Sequence, residues 1–296
     1  MASVEMSLKI AQRASAAMDP RVALFRESPS GKLRRWLLGT AYACHPKRAA
    51  DLPYLVAYTL ADMARGGTRI PDQAATHDRP DTFGGVCRDI CPETIVAAAR
   101  LGFYPMAHVG PLKWWTKAER LVLFLPERHV PKTMRPVLRK TPWRVTFDTA
   151  FDEVIKACAA PRSNRAHTLT WITPQIMRLY AELHDQGPAH SVEVWSEDGR
   201  LIGGSYGLAV GRIFVTESLF FRESNASKVA QHVLNHHLAE WGYVLNDSKV
   251  WSGLMEAMGS RFIPRAEYER LLAEHAHAGG RPGPWTVEAG PAAIVA

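Results

Sequence analysis

The sequence predicts an α+β fold in which a larger domain follows a smaller mixed domain and a helix-prone extension. Two observations predict it. Some segments repeat apolar residues at helical spacing, and others alternate apolar and polar residues as half-buried strands do. Hydrophobic residues make up 47% of the 296 residues and charged residues 22%. That composition is enough to bury a substantial core.

The chain divides into four predicted parts. Residues 1–80 form a helix-prone extension that ends in a polar, linker-like run at 71–80, and the sequence gives this extension no recognisable chemistry. Residues 81–148 form a small mixed domain and residues 149–278 the larger domain. The segment 279–296 is rich in Gly and Pro, which predicts a flexible tail.

The small domain combines one helix with two strands. The stretch after Pro92 has helical spacing and stops at Gly102, with Asp89 as a candidate cap. The runs 121–126 and 143–148 are typical of strands, and a basic stretch lies between them.

The larger domain has a clearer pattern. Helices are predicted at 150–160 and 174–186, strands at 190–195, 200–210, 212–221 and 243–251, and a long helix from Asn225 to Gly242. This order is typical of the acetyltransferase (GNAT) type of acyltransferase fold, an analogy that does not fix function. Coenzyme A enzymes of this type hold the pyrophosphate on a Gly-rich turn at a helix N-terminus. The corresponding turn here, RESNASK, contains no glycine, which favours a different acyl carrier.

Composition narrows the functional classes. The net charge of +7 is compatible with an anionic partner but does not identify one. Four cysteines in 296 residues are no disulfide framework, and Cys87 and Cys91 lack a second pair that would complete a zinc site. The sequence has no secretory signal and no apolar run long enough to cross a membrane. We therefore predict a cytoplasmic protein without a metal, a cofactor or a membrane partner.

Several collinear strings resemble the leucyl/phenylalanyl-tRNA–protein transferase family, from FGGVCRDICPETIVAAARLGFYP to GSRFIPRAEY, over about residues 83–272. The most specific lies between His190 and Lys228 and includes LIGGSYGLAVGRIFVTESLFFRESNASK. The resemblance implies a GNAT-like catalytic domain that binds the 3′ aminoacyl-adenosine of a charged tRNA. It implies transfer of the aminoacyl group to the N-terminal amine of a protein, usually one that begins with Arg or Lys, without metal or coenzyme.

Two carboxylates are catalytic candidates. Glu217 lies within an apolar strand, where a carboxylate must be paired or functional. The resemblance implies that it holds the aminoacyl end or the incoming α-amine; the alternative is a structural partner of Arg222 or of a backbone amide. For Asp247, the resemblance implies that it orients and deprotonates the amine. Residues two apart share a strand face, so position 249 is expected to act with Asp247.

Lys249, the third catalytic candidate, departs from the family, which has glutamine there. Its ammonium is expected to pair with Asp247 and keep that carboxylate ionised, or to donate to the tetrahedral oxyanion. It would also repel an acceptor that begins with Arg or Lys. The alternative is an exposed lysine at the end of a strand.

Five positions match the family's apolar pocket for the donor side chain: Ser205, Phe214, Leu234, Leu238 and Asn246. Ser205 and Asn246 are polar where the family has larger apolar residues. A pocket with two polar groups favours a donor other than leucine or phenylalanine, unless both groups satisfy backbone atoms. For the terminal adenine, Trp171 is a candidate stacking surface or a core residue, and Met106 replaces a family tryptophan.

A basic stretch is the candidate tRNA-binding surface: Lys132, Arg135, Arg139, Lys140 and Arg144. Spacings of three and four place several of these residues on one helical face. His232 and His236 lie four residues apart on the long helix and are expected to face solvent.

The leading interpretation is therefore an aminoacyltransferase that uses charged tRNA and modifies a protein N-terminus. One alternative keeps this chemistry but changes the acceptor to a small-molecule or peptide amine, a possibility raised by Lys249 and the extension. Another is a catalytically silent relative that binds tRNA or peptides, favoured by Lys249 and Met106 and opposed by Glu217 and Asp247.

Overall fold

The computed structural model of this chain describes residues 20–77, 82–161 and 169–295. Its helices are α1 (Pro20–Leu24), α2 (Pro29–Ala43), α3 (Pro46–Ala49), α4 (Leu52–Ala64), α5 (Pro92–Arg100), α6 (Arg135–Lys140), α7 (Phe151–Ala159), α8 (Pro174–Asp185), α9 (Ala226–Glu240), α10 (Gly253–Ala257) and α11 (Arg265–His275). Short 3-10 turns lie at Gln73–Ala75, Leu125–Glu127 and Pro291–Val295. No helix among the described residues is long and apolar enough to span a bilayer.

The strands are β1 (Phe83–Val86), β2 (Tyr104–Met106), β3 (Lys113–Trp115), β4 (Glu119–Phe124), β5 (Arg144–Phe147), β6 (Ala189–Trp195), β7 (Leu201–Val210), β8 (Ile213–Phe221), β9 (Leu245–Asp247), β10 (Arg261–Pro264) and β11 (Glu288–Ala289). They form a three-stranded sheet in the order β1-β3-β2 and an eight-stranded sheet in the order β10-β4-β9-β8-β7-β6-β5-β11. Within the large sheet β8 and β9 are parallel, and the other neighbouring strands are antiparallel. The predicted mixture of helices and strands is therefore confirmed.

The large sheet has helices on both faces. Side chains on β8 alternate between two core clusters, because successive residues of a strand point to opposite sides. Ile213 and Val215 pack with helices α5, α7, α8 and α11, whereas Phe214 packs with α9. We call these the α8 face and the α9 face. This division decides which of the predicted site residues can meet.

The hairpin between β7 and β8 turns at Gly211, as the sequence predicts. Its backbone has φ +59°. A Cβ atom added at Gly211 would lie 2.2 Å from the carbonyl oxygen of His275. Glycine is required here because the turn has a left-handed conformation and also packs closely against the end of α11.

Several element ends differ from the predictions. Helix α5 has Cys91 rather than Asp89 at its N-cap. Asn225 precedes α9 with φ +70° and makes no side-chain capping hydrogen bond. The predicted strand 243–251 is reduced to β9, and Lys249 has φ +64°. Lys249 therefore lies outside the strand, and strand alternation does not set its direction, although its side chain lies on the α8 face with that of Asp247.

The predicted domain boundary at residue 148 does not separate the two sheets. Strands β4 and β5, which precede the boundary, lie inside the large sheet. The segment predicted to be a flexible tail also differs, because β11 pairs with β5 and Trp285 is fully buried. The Trp285 ring stacks on His190 with centroids 3.7 Å apart. An indole has enough apolar surface to fix an otherwise polar, Gly-rich segment.

The extension is attached to the rest of the chain. Phe25 is buried in the core of the α8 face. Arg21 donates to Asp152 of α7 at 2.8 Å and to Asp185 of α8 at 3.0 Å. Part of the predicted linker also contacts the large sheet region, because Arg265 of α11 donates a 2.6 Å hydrogen bond to the hydroxyl of Thr76 in the linker. Residues 78–80 of that run lie outside the described residues.

Candidate active site

A buried ion pair joins Arg120 of β4 to Asp247 at the end of β9. The Arg120 Nε atom lies 3.3 Å from Asp247 Oδ1, and a second guanidinium nitrogen contacts Oδ2. The Tyr268 hydroxyl donates to Oδ2 at 2.7 Å, and the Lys249 backbone NH donates to Oδ1 at 2.7 Å. Both oxygens of this carboxylate therefore accept two hydrogen bonds each.

The surroundings of Asp247 determine its charge. Burial favours the neutral acid, but the positive charge of Arg120 and the hydrogen bonds from Arg120 and Tyr268 outweigh burial and lower the pKa of Asp247. Burial, reinforced by Asp247, raises the pKa of the Tyr268 hydroxyl well above its usual value. Asp247 is thus an ionised, fully engaged carboxylate and a weak base. This geometry suits orientation of the neighbouring loop better than proton abstraction.

Glu217 and Lys249 form a second ion pair beside the first. Lys249 Nζ donates to Glu217 Oε2, with 9% and 2% of the two side chains exposed. The expected ion pair between the Lys249 ammonium and Asp247 does not form, because only the backbone NH of Lys249 contacts Asp247 and Arg120 is the paired cation. Nor is Lys249 an exposed lysine at a strand end. The positive charge of Lys249 nevertheless helps to lower the pKa of Asp247, as expected.

Arg222, one of the two alternative partners of Glu217, is engaged elsewhere. Arg222 donates instead to the carbonyl oxygen of Leu201 at 2.6 Å. Burial, reinforced by the negative charge of Glu217, raises the pKa of the Tyr180 hydroxyl of α8 well above its usual value. Glu217 consequently lies on the α8 face, between a phenol and an ammonium.

The two ion pairs surround one small cavity of about 10 Å³, close to the size of a single water site. Its lining includes Arg120, Glu217, Lys249 and the rings of Tyr104 and Tyr180. The Lys249 ammonium lies 5.2 Å from the centre of the Tyr104 ring, within cation–π range. We call these five residues, together with Asp247 and Tyr268, the ion-pair site.

Sequence reasoning missed four members of the ion-pair site: Tyr104, Arg120, Tyr180 and Tyr268. Arg120 carried only a weak signal, because it stands directly before the apolar run 121–125, whereas Glu217 lies inside the apolar run of β8. Both obey the rule that a charge in a buried strand needs a partner. The tyrosines carried no comparable signal, because a tyrosine at an apolar position is ordinary core composition.

The predicted donor pocket lies on the other face of the sheet. Ser205 accepts a 2.7 Å hydrogen bond from Gln231 of α9. Asn246 accepts from the Thr216 hydroxyl at 2.8 Å and donates to Asn235 at 2.6 Å. Both predicted polar groups are therefore satisfied by side chains rather than by backbone groups. All five side chains in this hydrogen-bonded group, those of the two serine and asparagine candidates and of their three partners, belong to residues at most 5% exposed.

The remaining pocket candidates, Phe214, Leu234 and Leu238, belong to the core cluster of the α9 face. The structure thus brings the five donor-pocket candidates to α9. It also brings Glu217, Asp247 and Lys249 together, but on the α8 face. Asn246 and Asp247 are adjacent on β9 and point to opposite faces, so the thickness of one strand separates the two groups.

The two adenine candidates differ in their surroundings. Met106 is half-buried and lines a pocket between the extension and the small sheet. Trp171 is half-buried against the core of the α8 face and is not among the residues lining that pocket. For Trp171, this packing matches the core alternative considered from the sequence.

The basic stretch is exposed at all five positions, Lys132, Arg135, Arg139, Lys140 and Arg144. Helix α6 includes Arg135, Arg139 and Lys140, so Arg135 and Arg139, four residues apart, can share a helical face, but the face does not extend to all five residues. Lys132 precedes the helix and Arg144 begins β5, where it pairs with Glu288 at 3.5 Å. The cations therefore follow a turn, a short helix and a strand.

The expectation that both helix histidines face solvent is wrong for His232, which is 6% exposed. Burial, aided by the charge of His129, lowers the pKa of His232 to about 4. His129, His232 and His236 line a pocket of about 250 Å³. Among the described residues no group of three His, Cys, Asp or Glu side chains is arranged to hold a metal.

Comparison with known proteins gives the family. The family model described as Leucyl/phenylalanyl-tRNA protein transferase matches residues 122–273. Leucyl/phenylalanyl-tRNA--protein transferase of Stutzerimonas stutzeri (strain A1501) is 46% identical over 188 residues, which cover 63% of this chain and 82% of that protein. The protein of that name from Shewanella baltica (strain OS223) is 39% identical over 219 residues, 74% of this chain and 90% of that protein. The solved structure of L-PGS from Bacillus licheniformis aligns with a TM-score of only 0.32 at 10% identity, over 62% of this chain and 71% of that one, which carries no argument. The chain belongs to the leucyl/phenylalanyl-tRNA–protein transferase family.

Proposed function

We propose that this protein transfers an aminoacyl group from a charged tRNA to the N-terminal amine of a protein or peptide. Family membership supports the reaction class. The single structural observation that carries the proposal is the ion-pair site, in which Glu217 and Lys249 face one cavity with almost no exposure to water. A carboxylate and an ammonium in such surroundings are suited to orient an amine and to stabilise an oxyanion.

The reaction needs little from the protein, because an aminoacyl-tRNA is already an activated ester. The neutral amine attacks the ester carbonyl, the new C–N bond forms, and the C–O bond to the tRNA breaks. The proton lost by the nitrogen ends on the departing 3′ oxygen. In our proposal the Glu217 carboxylate orients the amine, the Lys249 ammonium donates to the developing oxyanion, and Asp247 with Arg120 holds the loop that carries Lys249.

The fold assignment is part of the proposal. Helices α7 and α8, the antiparallel strands β6–β8, the long helix α9 and the parallel strand β9 follow one another in the order of a GNAT-type acyltransferase. We assign catalysis to the part of the large sheet formed by residues 149–278. Strands β5 and β11 extend that sheet beyond β6, and β4 lies between β9 and β10.

The substrate specificity is proposed to differ from the family's usual one. The Lys249 charge opposes an acceptor that begins with Arg or Lys, since its ammonium already neutralises Glu217. The hydrogen-bonded side chains of Ser205 and Asn246 favour a donor other than leucine or phenylalanine. The exposed basic stretch is assigned to tRNA phosphates. A cytoplasmic location belongs to the same proposal, because charged tRNA is found there.

The test is a transfer assay with purified protein, tRNAs charged with different labelled amino acids, and peptides with varied N-termini. We expect labelled peptide, and we expect Glu217→Gln to reduce transfer at least a hundredfold while tRNA binding persists. Glu197→Gln, at an exposed position in the turn after β6, is the matched control and should retain full activity. Transfer that survives Glu217→Gln would refute the assigned role of this carboxylate.

A second candidate function, tRNA or peptide binding without transfer, is favoured by one observation. The Lys249 ammonium occupies the carboxylate that would otherwise receive the amine. The same assay decides between the two functions: salt-sensitive tRNA binding with no labelled product from any peptide would support the binding function. Labelled product from small-molecule amines alone would instead identify a different acceptor.

A further inference from the structure

The pocket of about 250 Å³ on the α9 face is bounded by α9 and by the segment that follows β4. Part of its lining is apolar and comes from Leu123, Met258 and Ile294. It shares no lining residue with the cavity of the ion-pair site. We call it the histidine pocket, and the polar side chains that line it are Arg128, His129, His232, Asn235 and His236.

Two buried side chains of this pocket lack strong hydrogen-bond partners. His232 is only 6% exposed, yet it makes no hydrogen bond with any residue in the described part of the chain. Asn235 is 3% exposed, and its side-chain oxygen accepts from Asn246 at 2.6 Å. The Asn235 amide nitrogen, however, has only the Met258 sulfur as an acceptor, at 3.8 Å. Because a thioether is a weak acceptor and an unpaired buried donor is costly, both side chains are suited to donate to a ligand.

The other polar residues of the histidine pocket add a cation and further donors. Arg128 donates to the carbonyl oxygen of Leu125 at 3.1 Å and lies 3.9 Å from the Glu240 carboxylate, beyond hydrogen-bonding distance. A guanidinium carries five N–H groups, so most of its donors remain for a ligand. Among the described residues, no Asp or Glu lines the pocket. A lining with several donors and no carboxylate favours an anion that presents several oxygen atoms.

Positive charge accumulates around the histidines. Burial, aided by the charge of His129, lowers the pKa of His232. Burial, aided by the charges of His237 and Arg128, also lowers the pKa of His236, against a smaller opposing effect of Glu240. An anion in the pocket would offset this repulsion and stabilise the protonated imidazoles. The electrostatics of the pocket therefore favour the same ligand as its hydrogen-bond donors do.

The number of donors favours a phosphate. A carboxylate presents two oxygen atoms in one plane, whereas a phosphate with at most one ester substituent presents three or four in a tetrahedron and can accept from more of the five polar side chains. A phosphodiester, with substituents on two sides, is poorly suited to reach the buried His232 and Asn235. A metal ion does not fit, because no three His, Cys, Asp or Glu side chains of the described residues are arranged to hold one and the Arg128 charge opposes a cation.

We propose that the histidine pocket binds a terminal phosphate group, either inorganic phosphate or the phosphate of a small monoester, with Arg128, His232 and Asn235 as its main donors. The pocket is distinct from the proposed transfer site, because the ion-pair site lies on the other face of the large sheet. Phosphate binding therefore does not depend on aminoacyl transfer.

The test is isothermal titration calorimetry, in which inorganic phosphate is added to the full-length protein in a phosphate-free buffer of constant ionic strength. We expect saturable binding of one phosphate per chain. Arg128→Gln and His232→Leu should each raise the Kd about tenfold or more, because each removes a hydrogen bond to a charged ligand. Arg270→Gln and His277→Leu, at exposed positions on and after α11, are the matched controls and should bind as the unmodified protein does.

Small phosphate compounds distinguish the two sources of the phosphate group. Methyl phosphate that binds as inorganic phosphate does would support a monoester ligand, whereas binding of inorganic phosphate alone would support the free ion. Dimethyl phosphate and acetate should bind more weakly than either, because each presents only two unsubstituted oxygen atoms. Acetate or dimethyl phosphate that binds as tightly as inorganic phosphate would contradict the choice of ligand.

Nuclear magnetic resonance gives a readout on the unmodified protein. The histidine signal that is absent from the His232→Leu spectrum belongs to His232, and inorganic phosphate should shift it. Thermal unfolding checks that both pocket variants fold, and Arg128→Gln, at a half-buried position, keeps the test decisive if His232→Leu does not. Equal affinity of the pocket variants and the controls, no saturable phosphate binding by the unmodified protein, or Zn²⁺ binding without phosphate binding would each overturn the inference.

Discussion

Arg120 and Asp247 form an ion pair in which 2% and 0% of the two side chains are exposed, although 127 positions separate them in the chain. Removing one partner leaves an uncompensated buried charge. We expect Asp247→Leu to lower the free energy of unfolding by about 3–5 kcal/mol, measured by urea denaturation.

Two controls accompany that measurement. Glu127→Ala breaks a pair with Arg261 whose side chains are about half exposed, and it should cost about 1 kcal/mol or less. The double variant Arg120→Met, Asp247→Leu should recover much of the loss, because apolar groups often replace a buried ion pair without a penalty. An Asp247→Leu cost as small as that of the surface variant would contradict the buried pair.

Lys249→Gln should widen acceptor use. The substitution removes the cation that neutralises Glu217 and opposes a basic N-terminus. We expect kcat/KM for a peptide beginning with Arg to rise about tenfold relative to one beginning with Asp, measured by competition between the two peptides. Lys228→Gln, on the exposed side of α9, is the control and should leave this ratio unchanged. A ratio that moves equally in both variants would argue against Lys249 as a determinant of acceptor choice.

Asn246→Leu tests the polar network of the α9 face. The variant leaves the Thr216 hydroxyl and the Asn235 side-chain oxygen without their buried partner. We expect a loss of about 1–3 kcal/mol in unfolding free energy for each unpaired group. Adding Thr216→Val and Asn235→Leu to Asn246→Leu removes the orphaned groups and should restore part of the stability. No recovery would indicate that packing, rather than hydrogen bonding, dominates there.

The basic stretch should appear in the salt dependence of tRNA binding. Each phosphate contact contributes about 0.7–0.9 to the slope of log K against log salt. The triple variant Arg135→Gln, Arg139→Gln, Lys140→Gln should therefore reduce the slope by up to about 2–3, measured by titrations at several salt concentrations. Arg200→Gln, Arg261→Gln, Arg270→Gln removes three exposed charges elsewhere. A slope reduced equally by this control would point to overall charge rather than to a specific surface.

His232 should make the protein sensitive to acid. Its pKa in the folded protein is about 4, below the value near 6.5 of an unfolded chain, so the unfolded state binds more protons between these pH values. Stability is therefore fully present above about pH 6.5 and is lost as the pH falls toward 4. His232→Gln should flatten this part of the curve, measured by urea denaturation at each pH. His277→Gln, at an exposed position, should leave the curve unchanged. The pKa of His108 is also lowered to about 4, so the His232→Gln variant should still lose some stability between pH 6.5 and 4.

The sequence by itself determined the local elements of the larger domain. Strands β6, β7 and β8 and helix α9 were predictable because alternation and helical spacing are properties of neighbouring residues. It also singled out Glu217, since a carboxylate in an apolar strand is unusual wherever the strand lies. The matching strings identified the family for the same reason: each is a contiguous segment.

Only the tertiary structure decided the partners. Arg120 meets Asp247, and Lys249 meets Glu217, because the sheet order places β4 beside β9 and β9 beside β8. That order depends on long-range pairing, which no local pattern encodes. Strand alternation points Asn246 and Asp247 to opposite faces, but only the packing of distant elements puts Asn235 of α9 against one and Tyr268 of α11 against the other. The two-residue alternation of side chains along a strand determines which residues can share a face. Only the packing of distant segments determines what that face contacts.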